Sequence, residues 1–297
     1  MTIDFEGRVA IVTGAGSGLG RSHALGLAAR RANVVVNDVG FDNAMTVVEE
    51  IRAGGGTAVG DNEDVADFAA VSEMVARAEK LWGHVDIFVN NAGVLRDKTF
   101  AKMEMADFEF VLRVHLIGSA NCTKAVWAGM RERNYGRIVL TSSASGIYGN
   151  FGQANYGAAK AAMIGLMNVL HLEGAKNDIR VNILAPTART GMTEGLLSPV
   201  AAELMTPESV TPGVLFLVSE NAPSRVILGA GAGVFAVTHI GETPGVYLDE
   251  SERTPETIAA RFAEISDAST AESLKDAFSQ TYKFVAAAAK AKGVKLE

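Results

Sequence analysis

Residues 8–38, R-V-A-I-V-T-G-A-G-S-G-L-G-R-S-H-A-L-G-L-A-A-R-R-A-N-V-V-V-N-D, decide the fold. Arg8–Thr13 is a short continuous apolar run, the pattern of a strand buried on both faces of a parallel sheet. Gly18–Arg31 carries apolar residues at helical spacing, and Asn33–Asn37 is a second buried strand. Strand, glycine loop, helix and strand in that order predict a right-handed βαβ unit. The loop is T-G-A-G-S-G-L-G, Thr13–Gly20. Glycines there let the backbone approach a pyrophosphate, and the helix N-terminus offers unpaired N–H groups and a positive dipole end. The spacing is T-G-x-x-x-G-x-G, with Leu19 standing where G-x-G-x-x-G wants its third glycine. Gly14, Ser17, Gly18, Leu19 and Gly20 are therefore the expected phosphate-facing positions. Asp38 ends the second strand. A carboxylate there accepts hydrogen bonds from both adenosine ribose hydroxyls and repels a 2′-phosphate, so NAD is expected over NADP. Asp64 and Val65, after a third strand, are expected to meet the adenine.

The same alternation continues outward. Asn43–Ala53 reads as helix, Thr57–Gly60 as strand, Val65–Trp82 as helix, and Val85–Val89 as the fourth strand. Ala106–Arg133 reads as one long helix, Gly136–Thr141 as strand, Asn155–Lys176 as helix, and Ile179–Leu184 as strand. Pro212–Glu220 follows as helix and Ala232–Val237 as a last strand. The expected class is α/β, a doubly wound, mostly parallel, seven-stranded sheet of the Rossmann kind. Residues 1–240 are expected to form this dinucleotide-binding domain with its active site. Residues 241–297 are helix-forming over Thr254–Lys292, too short a piece for a core of its own, and are expected as a helical extension packed on the first domain.

Chemistry concentrates in S-S-A-S-G-I-Y-G-N-F-G-Q-A-N-Y-G-A-A-K, Ser142–Lys160. Tyr156 and Lys160 are four residues apart on a predicted helix, so they share one face. A free phenol, with a pKa of about 10, is a poor base at neutral pH. A neighbouring cation is expected to lower that value and make Tyr156 a usable acid or base. Ser143, at the end of a strand, is expected to hydrogen-bond the same substrate oxygen. Phenol and hydroxyl converging on one oxygen suit alcohol–carbonyl interconversion.

Composition narrows the classes. The chain has 297 residues, 48% hydrophobic and 21% charged, the make-up of an ordinary globular protein. A net charge of −7 argues against nucleic acid as a partner. The single cysteine, Cys122, makes no internal disulfide and is expected as a small buried hydrophobe. The N-terminus lacks a basic start followed by an apolar signal segment, and no apolar run reaches the ~20 residues of a membrane helix. A cytoplasmic protein without a membrane span is expected, and no metal site.

T-G-x-x-x-G-x-G, N-N-A-G at Asn90–Gly93, and Ser143 with Tyr156-x-x-x-Lys160 together resemble the short-chain dehydrogenase/reductase superfamily over residues 5–240. T-S-S-A-S-G-I-Y-G-N-F-G-Q-A-N-Y (Thr141–Tyr156), R-V-H-L-I-G (Arg113–Gly118) and N-D-V-G (Asn37–Gly40) look like the dehydrogenase unit of the peroxisomal multifunctional enzyme type 2 family, the 17β-hydroxysteroid dehydrogenase type 4 kind. The resemblance implies catalysis by Ser143, Tyr156 and Lys160. It implies cofactor contacts from Asn91, Ala92, Gly93, Pro186 and Thr190, besides Tyr156 and Lys160. His115 stands where the superfamily usually has Asn in a proton path. Its protonation near pH 6.5 is expected to add a second titration. Pro186-Thr187 replaces the usual Pro-Gly. The helical tail resembles the extension that packs near the active site in that family.

The implied reaction is NAD-dependent oxidation of a (3R)-3-hydroxyacyl-CoA, with a 17β-hydroxysteroid as the alternative. NADPH-dependent 3-oxoacyl reduction, an NAD-sensing protein and a structural subunit are lesser readings. Arg96, Lys98 and Arg189 are candidate CoA-phosphate partners; Tyr148, Phe151, Leu196 and Leu197 are candidate linings of an apolar cleft. Thr187–Met205, with Met192, is a candidate substrate lid. A homodimer or homotetramer is expected.

Overall fold

β1 (Val9–Thr13), β2 (Asn33–Asn37), β3 (Thr57–Asp61), β4 (Ile87–Asn90), β5 (Gly136–Thr141), β6 (Ile179–Thr187), β7 (Ile227–Gly231) and β8 (Val234–Thr238) form one sheet in the order β3-β2-β1-β4-β5-β6-β7-β8. The computed structural model describes residues 2–189 and 198–296. All neighbouring strands are parallel except β7 and β8. Residues 1–238 and 239–297 are two separate compact units.

The expected doubly wound α/β sheet is present, with eight strands instead of seven. The strand expected over Ala232–Val237 starts in the middle of a hairpin. Ala232 and Gly233 both have positive φ, 50° and 76°, the two-residue turn that suits the twist of antiparallel strands. Gly229 and Gly231 disguise β7 in the sequence, because glycine dilutes a strand pattern.

Crossover helices α1 (Gly18–Ala28), α2 (Phe41–Ala53), α3 (Phe68–Trp82), α4 (Met105–Leu112) and α5 (Gly118–Arg133) cover the sheet, with α6 (Ala144–Tyr148), α7 (Ala154–Gly174), α8 (Pro199–Leu204) and α9 (Thr211–Leu217). Strand side chains alternate between two cores. Ala10, Val12, Val34 and Val36 pack with Leu27 of α1, Val48 of α2 and Val214 of α9. Val9, Ile11, Val35 and Phe88 pack with Met74 of α3, Cys122 of α5 and Met163 of α7. Burial on both faces is why these strands read as continuous apolar runs.

The single helix expected over Ala106–Arg133 is broken by a π-helical turn, Arg113–Ile117, that carries His115. At the opposite end of the sheet from the loops after β1 and β4, Arg137 is fully buried. Its guanidinium donates to the carbonyls of Ser219, Gly136, Asp178 and Glu220 and to the Asp178 carboxylate, at 2.7–3.0 Å.

In the second unit the stretch Thr254–Lys292 is not one helix. α10 (Pro255–Ala260) and α11 (Phe262–Ile265) part at Arg261, and α11 and α12 (Ala277–Lys292) are separated where Asp267 and Asp276 turn their carboxylates to backbone N–H groups. Glu242 and Glu272 exchange two backbone hydrogen bonds, and Lys283 holds the Glu242 carboxylate at 2.9 Å.

Candidate active site

The strand order reverses between β1 and β4, opening a crevice at their carboxyl ends, the place where open α/β sheets bind ligands. Asn91 closes it. Its Nδ2 donates to the carbonyls of Thr13 and Gly14 at 3.0 and 3.1 Å, while Thr13 Oγ1 accepts from the N–H groups of Asn91 and Ala92, both at 3.1 Å. These bonds tie the loop of Asn91–Gly93 to the loop of Gly14–Gly20.

The residues present fit a dinucleotide. Gly14 and Gly18 adopt φ of 60° and 53°. A Cβ on Gly20 would stand 2.2 Å from the Gly14 carbonyl oxygen, so only glycine lets the helix start so close to the loop. Ser17 at the head of α1 makes no side-chain cap, and the first turn holds no acid. The N-terminal N–H groups and dipole are left for a pyrophosphate. Asp38 lies at the carboxyl end of β2. Its two oxygens accept from Gly16 N–H at 3.0 Å and Gly40 N–H at 2.9 Å, which fixes the carboxylate and leaves lone pairs free. Asp64 is bound through one oxygen to Ala66 N–H at 2.9 Å, and Asn121 of α5 holds the Val65 carbonyl at 3.0 Å. Pro186 lies in β6, which runs three residues past its expected end and pairs Pro186 with Ala230 and Thr187 with Gly231. Thr190, Met192, Leu196 and Leu197 lie outside the described residues. Arg189 N–H and the Met205 carbonyl are 2.5 Å apart.

Ser143, Tyr156 and Lys160 converge beyond β5. Ser143 heads α6, its Oγ accepting from Ser145 N–H at 3.2 Å. Its hydroxyl is near enough to the Tyr156 phenol to lower that group's pKa. Lys160 is buried, its Nζ 5.6 Å from the Tyr156 ring centre and donating to the Thr141 carbonyl at 2.7 Å. Ser142 Oγ donates to the Lys160 carbonyl at 2.7 Å, locking α7 onto β5. Helical spacing alone predicted the shared face, but the electrostatics differ from expectation. Burial raises the Tyr156 pKa; the nearby Ser143 hydroxyl lowers it and the Asp97 carboxylate raises it. Burial also lowers Lys160 to about 7, so the ammonium is itself poorly supported.

His115 is 2% exposed and meets the Tyr156 ring edge-on, centroids 5.3 Å apart. Its Nε2 is 2.8 Å from the Val94 carbonyl oxygen and 3.0 Å from the Val94 nitrogen. Its Nδ1 is buried with no partner among the described residues. The titration expected near pH 6.5 is overturned: burial and then the Lys160 charge push its pKa down to about 3. His115 is a neutral ring across the working range.

Arg96 and Lys98 are not free anion partners. Asp107 of α4 lies 3.1 Å from Lys98 Nζ and 4.0 Å from Arg96 Nε. Tyr148 and Phe151 are 74% and 89% exposed, with Tyr148 Oη 3.3 Å from Thr238 Oγ1. Sequence reading missed Thr141 as the lysine's partner, because a carbonyl has no sequence signature. It also missed Asn155, fully buried, whose Nδ2 donates to the Arg96 carbonyl at 3.0 Å.

Residues 8–199 match the short chain dehydrogenase family. The peroxisomal multifunctional enzyme type 2 of Mus musculus is 44% identical over 90% of this chain and 38% of its own length. The full-length peroxisomal multifunctional enzyme type 2 from Drosophila melanogaster superposes with a TM-score of 0.83 at 37% identity, covering 97% of this chain and 50% of that one. A 7α-hydroxysteroid dehydrogenase complexed with NADH and 7-oxo glycochenodeoxycholic acid superposes with a TM-score of 0.72 at 30% identity, over 77% of this chain and 95% of that one. The chain thus spans half or less of the length of the two multifunctional enzymes.

Proposed function

Because the chain belongs to the short-chain dehydrogenase family, we propose that it interconverts a secondary alcohol and a ketone, using NAD in preference to NADP. The observation that carries this reading is the convergence of Ser143, whose hydroxyl acts on the Tyr156 phenol, with Tyr156 and the buried Lys160, its Nζ 5.6 Å from the Tyr156 ring centre. Bound nicotinamide supplies the hydride acceptor. Gly14–Gly20 would hold its pyrophosphate, Asp38 the adenosine ribose, Asp64 and Val65 the adenine, and Asn91–Gly93, Pro186, Tyr156 and Lys160 the nicotinamide half. Ser143 holds the substrate oxygen and Tyr156 takes its proton. Negative charge developing on the phenol favours the Lys160 ammonium and the reverse, so the two act as one coupled pair. His115 contributes a neutral ring packed edge-on against the Tyr156 ring.

The substrate we infer is a (3R)-3-hydroxyacyl-CoA, supported by the multifunctional enzymes that this chain resembles. A steroid alcohol is the second reading, supported by the exposed rings of Tyr148 and Phe151 and by the bile-acid complex of the hydroxysteroid dehydrogenase. The two similar multifunctional enzymes are named peroxisomal where sequence alone suggests cytoplasm, and the chemistry is the same in either. Among the described residues no helix is long and apolar enough to cross a membrane.

The test is kcat/KM for a (3R)-3-hydroxyacyl-CoA and a 17β-hydroxysteroid, each with NAD and NADP. The acyl-CoA with NAD is expected to be best. Oxidation of the steroid alone transfers the assignment to the second reading, and equal use of both cofactors removes the role given to Asp38.

A further inference from the structure

Gln153 stands at the N-cap of α7, three residues before Tyr156, and its side chain makes no cap bond there. Serine, threonine, asparagine and aspartate are the residues favoured at an N-cap, because a short side chain reaches the free N–H groups. The Gln153 amide instead makes three hydrogen bonds elsewhere. Its Nε2 donates to the Asp97 carboxylate at 2.6 Å. Its Oε1 accepts from Ser145 Oγ at 2.8 Å and from Asn150 Nδ2 at 3.0 Å. One amide thus joins the loop after β4, the turn that carries Ser143, and the turn that begins α7.

The neighbouring backbone makes the same connection. Lys98 N–H donates to the Gly152 carbonyl at 3.0 Å, and Asn155 Nδ2 donates to the Arg96 carbonyl at 3.0 Å. α6 packs so tightly on α7 that a Cβ on Gly146 would lie 2.6 Å from Lys160 Cβ. That contact sets how near α6 lies to α7. A rigid hydrogen-bonded amide at Ser145 sets how α6 is turned, and therefore where Ser143 Oγ points. Ser143 Oγ already accepts Ser145 N–H, so its one proton is left to be donated toward the substrate oxygen.

We propose that Gln153 is a positioning residue that aims the Ser143 hydroxyl at the reacting oxygen, by tying Ser145 to Asp97. The proposal rests on Ser143 and Tyr156 being the reacting pair.

Exchange of donor and acceptor tests it. Gln153→Glu sets a carboxylate against Asp97 and loses the only donor that the bridging side chain has. Adding Asp97→Asn restores the bridge in reverse. The amide introduced at position 97 donates to the carboxylate introduced at position 153, which still accepts from Ser145 and Asn150. The net charge of the double variant is that of the wild type. Asp97→Asn alone keeps an acceptor for Gln153 and is expected to be mild. Misplacement by about 1 Å costs up to about 10²-fold in rate. Gln153→Glu is therefore expected to lower kcat by about 10-fold to 10²-fold with little change in NAD affinity, and the double variant to recover within about 3-fold. Ionisation of the Tyr156 phenol, followed as ultraviolet difference absorbance against Tyr156→Phe, needs no turnover. It is expected to move to higher pH in Gln153→Glu and to return in the double variant. A wild type that oxidises neither alcohol overturns the proposed function and leaves this spectroscopic result to decide the bridge. An unmoved phenol in Gln153→Glu, or a double variant as impaired as the single one, overturns the positioning role.

Discussion

Lys160 Nζ donates to the carbonyl oxygen of Thr141 at 2.7 Å, in a site that pushes its pKa down to about 7 by burial. The ordinary value is 10.5, so between about 7 and 10.5 the unfolded chain binds the proton that the folded chain has lost. Stability conferred at this site therefore rises with pH across that window and is lowest below it. Lys160→Met removes the buried charge along with the activity. The variant is expected to melt higher than the wild type near pH 6, with an advantage that shrinks toward pH 10. A pH-independent difference in Tm would show that the lysine is not destabilised by burial.

Tyr156→Phe keeps the ring against His115 and removes the ionisable oxygen. Turnover is expected to fall by about 10²–10⁴, the usual scale for losing a general acid–base group. NAD affinity is expected to persist, measured by fluorescence titration. Near-normal kcat in this variant would exclude the proposed proton transfer.

Acid stability depends on two histidines kept neutral by burial. His23 on α1 has its Nδ1 2.9 Å from Thr211 Oγ1, and burial pushes its pKa down to about 3; His115 is lowered to about 3 as well. Both are protonated near pH 6.5 in the unfolded chain, so stability is intact above that pH and falls as the pH drops from about 6.5 toward 3. Each contributes a slope of up to about 1.4 kcal/mol per pH unit. His23→Gln is expected to flatten the profile of chemical denaturation between pH 6 and 4. A profile identical to wild type would assign the acid sensitivity elsewhere.

Gly20→Ala forces a Cβ within 2.2 Å of the Gly14 carbonyl, at the start of α1. The glycine loop has to shift, and NAD binding is expected to weaken by at least about 10-fold, since each 1.4 kcal/mol of misfit is one decade. Unchanged NAD affinity by calorimetry would mean that the pyrophosphate is held elsewhere.

Arg137→Ala removes the buried guanidinium that donates to the carbonyls of Gly136, Asp178, Ser219 and Glu220, of which Ser219 keeps the Ala222 N–H. The loss is expected at about 2–5 kcal/mol by urea denaturation, from the cavity left by a large buried side chain and from buried acceptors that lose a donor. The site is at the far end of the sheet, so kcat of the folded fraction is expected to be unchanged. A loss below about 1 kcal/mol would show that water replaces the guanidinium.

The sequence by itself determined the parallel sheet, the glycine loop, Asp38 at the end of β2, and Tyr156 and Lys160 on one helix face. These are legible because each is local: a strand buried on both faces is apolar throughout, and residues four apart on a helix are neighbours. It missed β7 because glycine erases the strand pattern, and it read one helix where the π-helical turn at His115 breaks it. Only the tertiary structure decided the charge states. Tyr156, Lys160 and His115 have ordinary ionisation as isolated side chains, and it is burial among elements distant in the chain that shifts them. Only the tertiary structure brought Asp107 against Lys98, and Gln153 against both Asp97 and Ser145. Those partners are set by how the loop after β4 meets α4 and the start of α7, and desolvation and loop-to-loop contact depend on the whole packed fold rather than on any spacing along the chain.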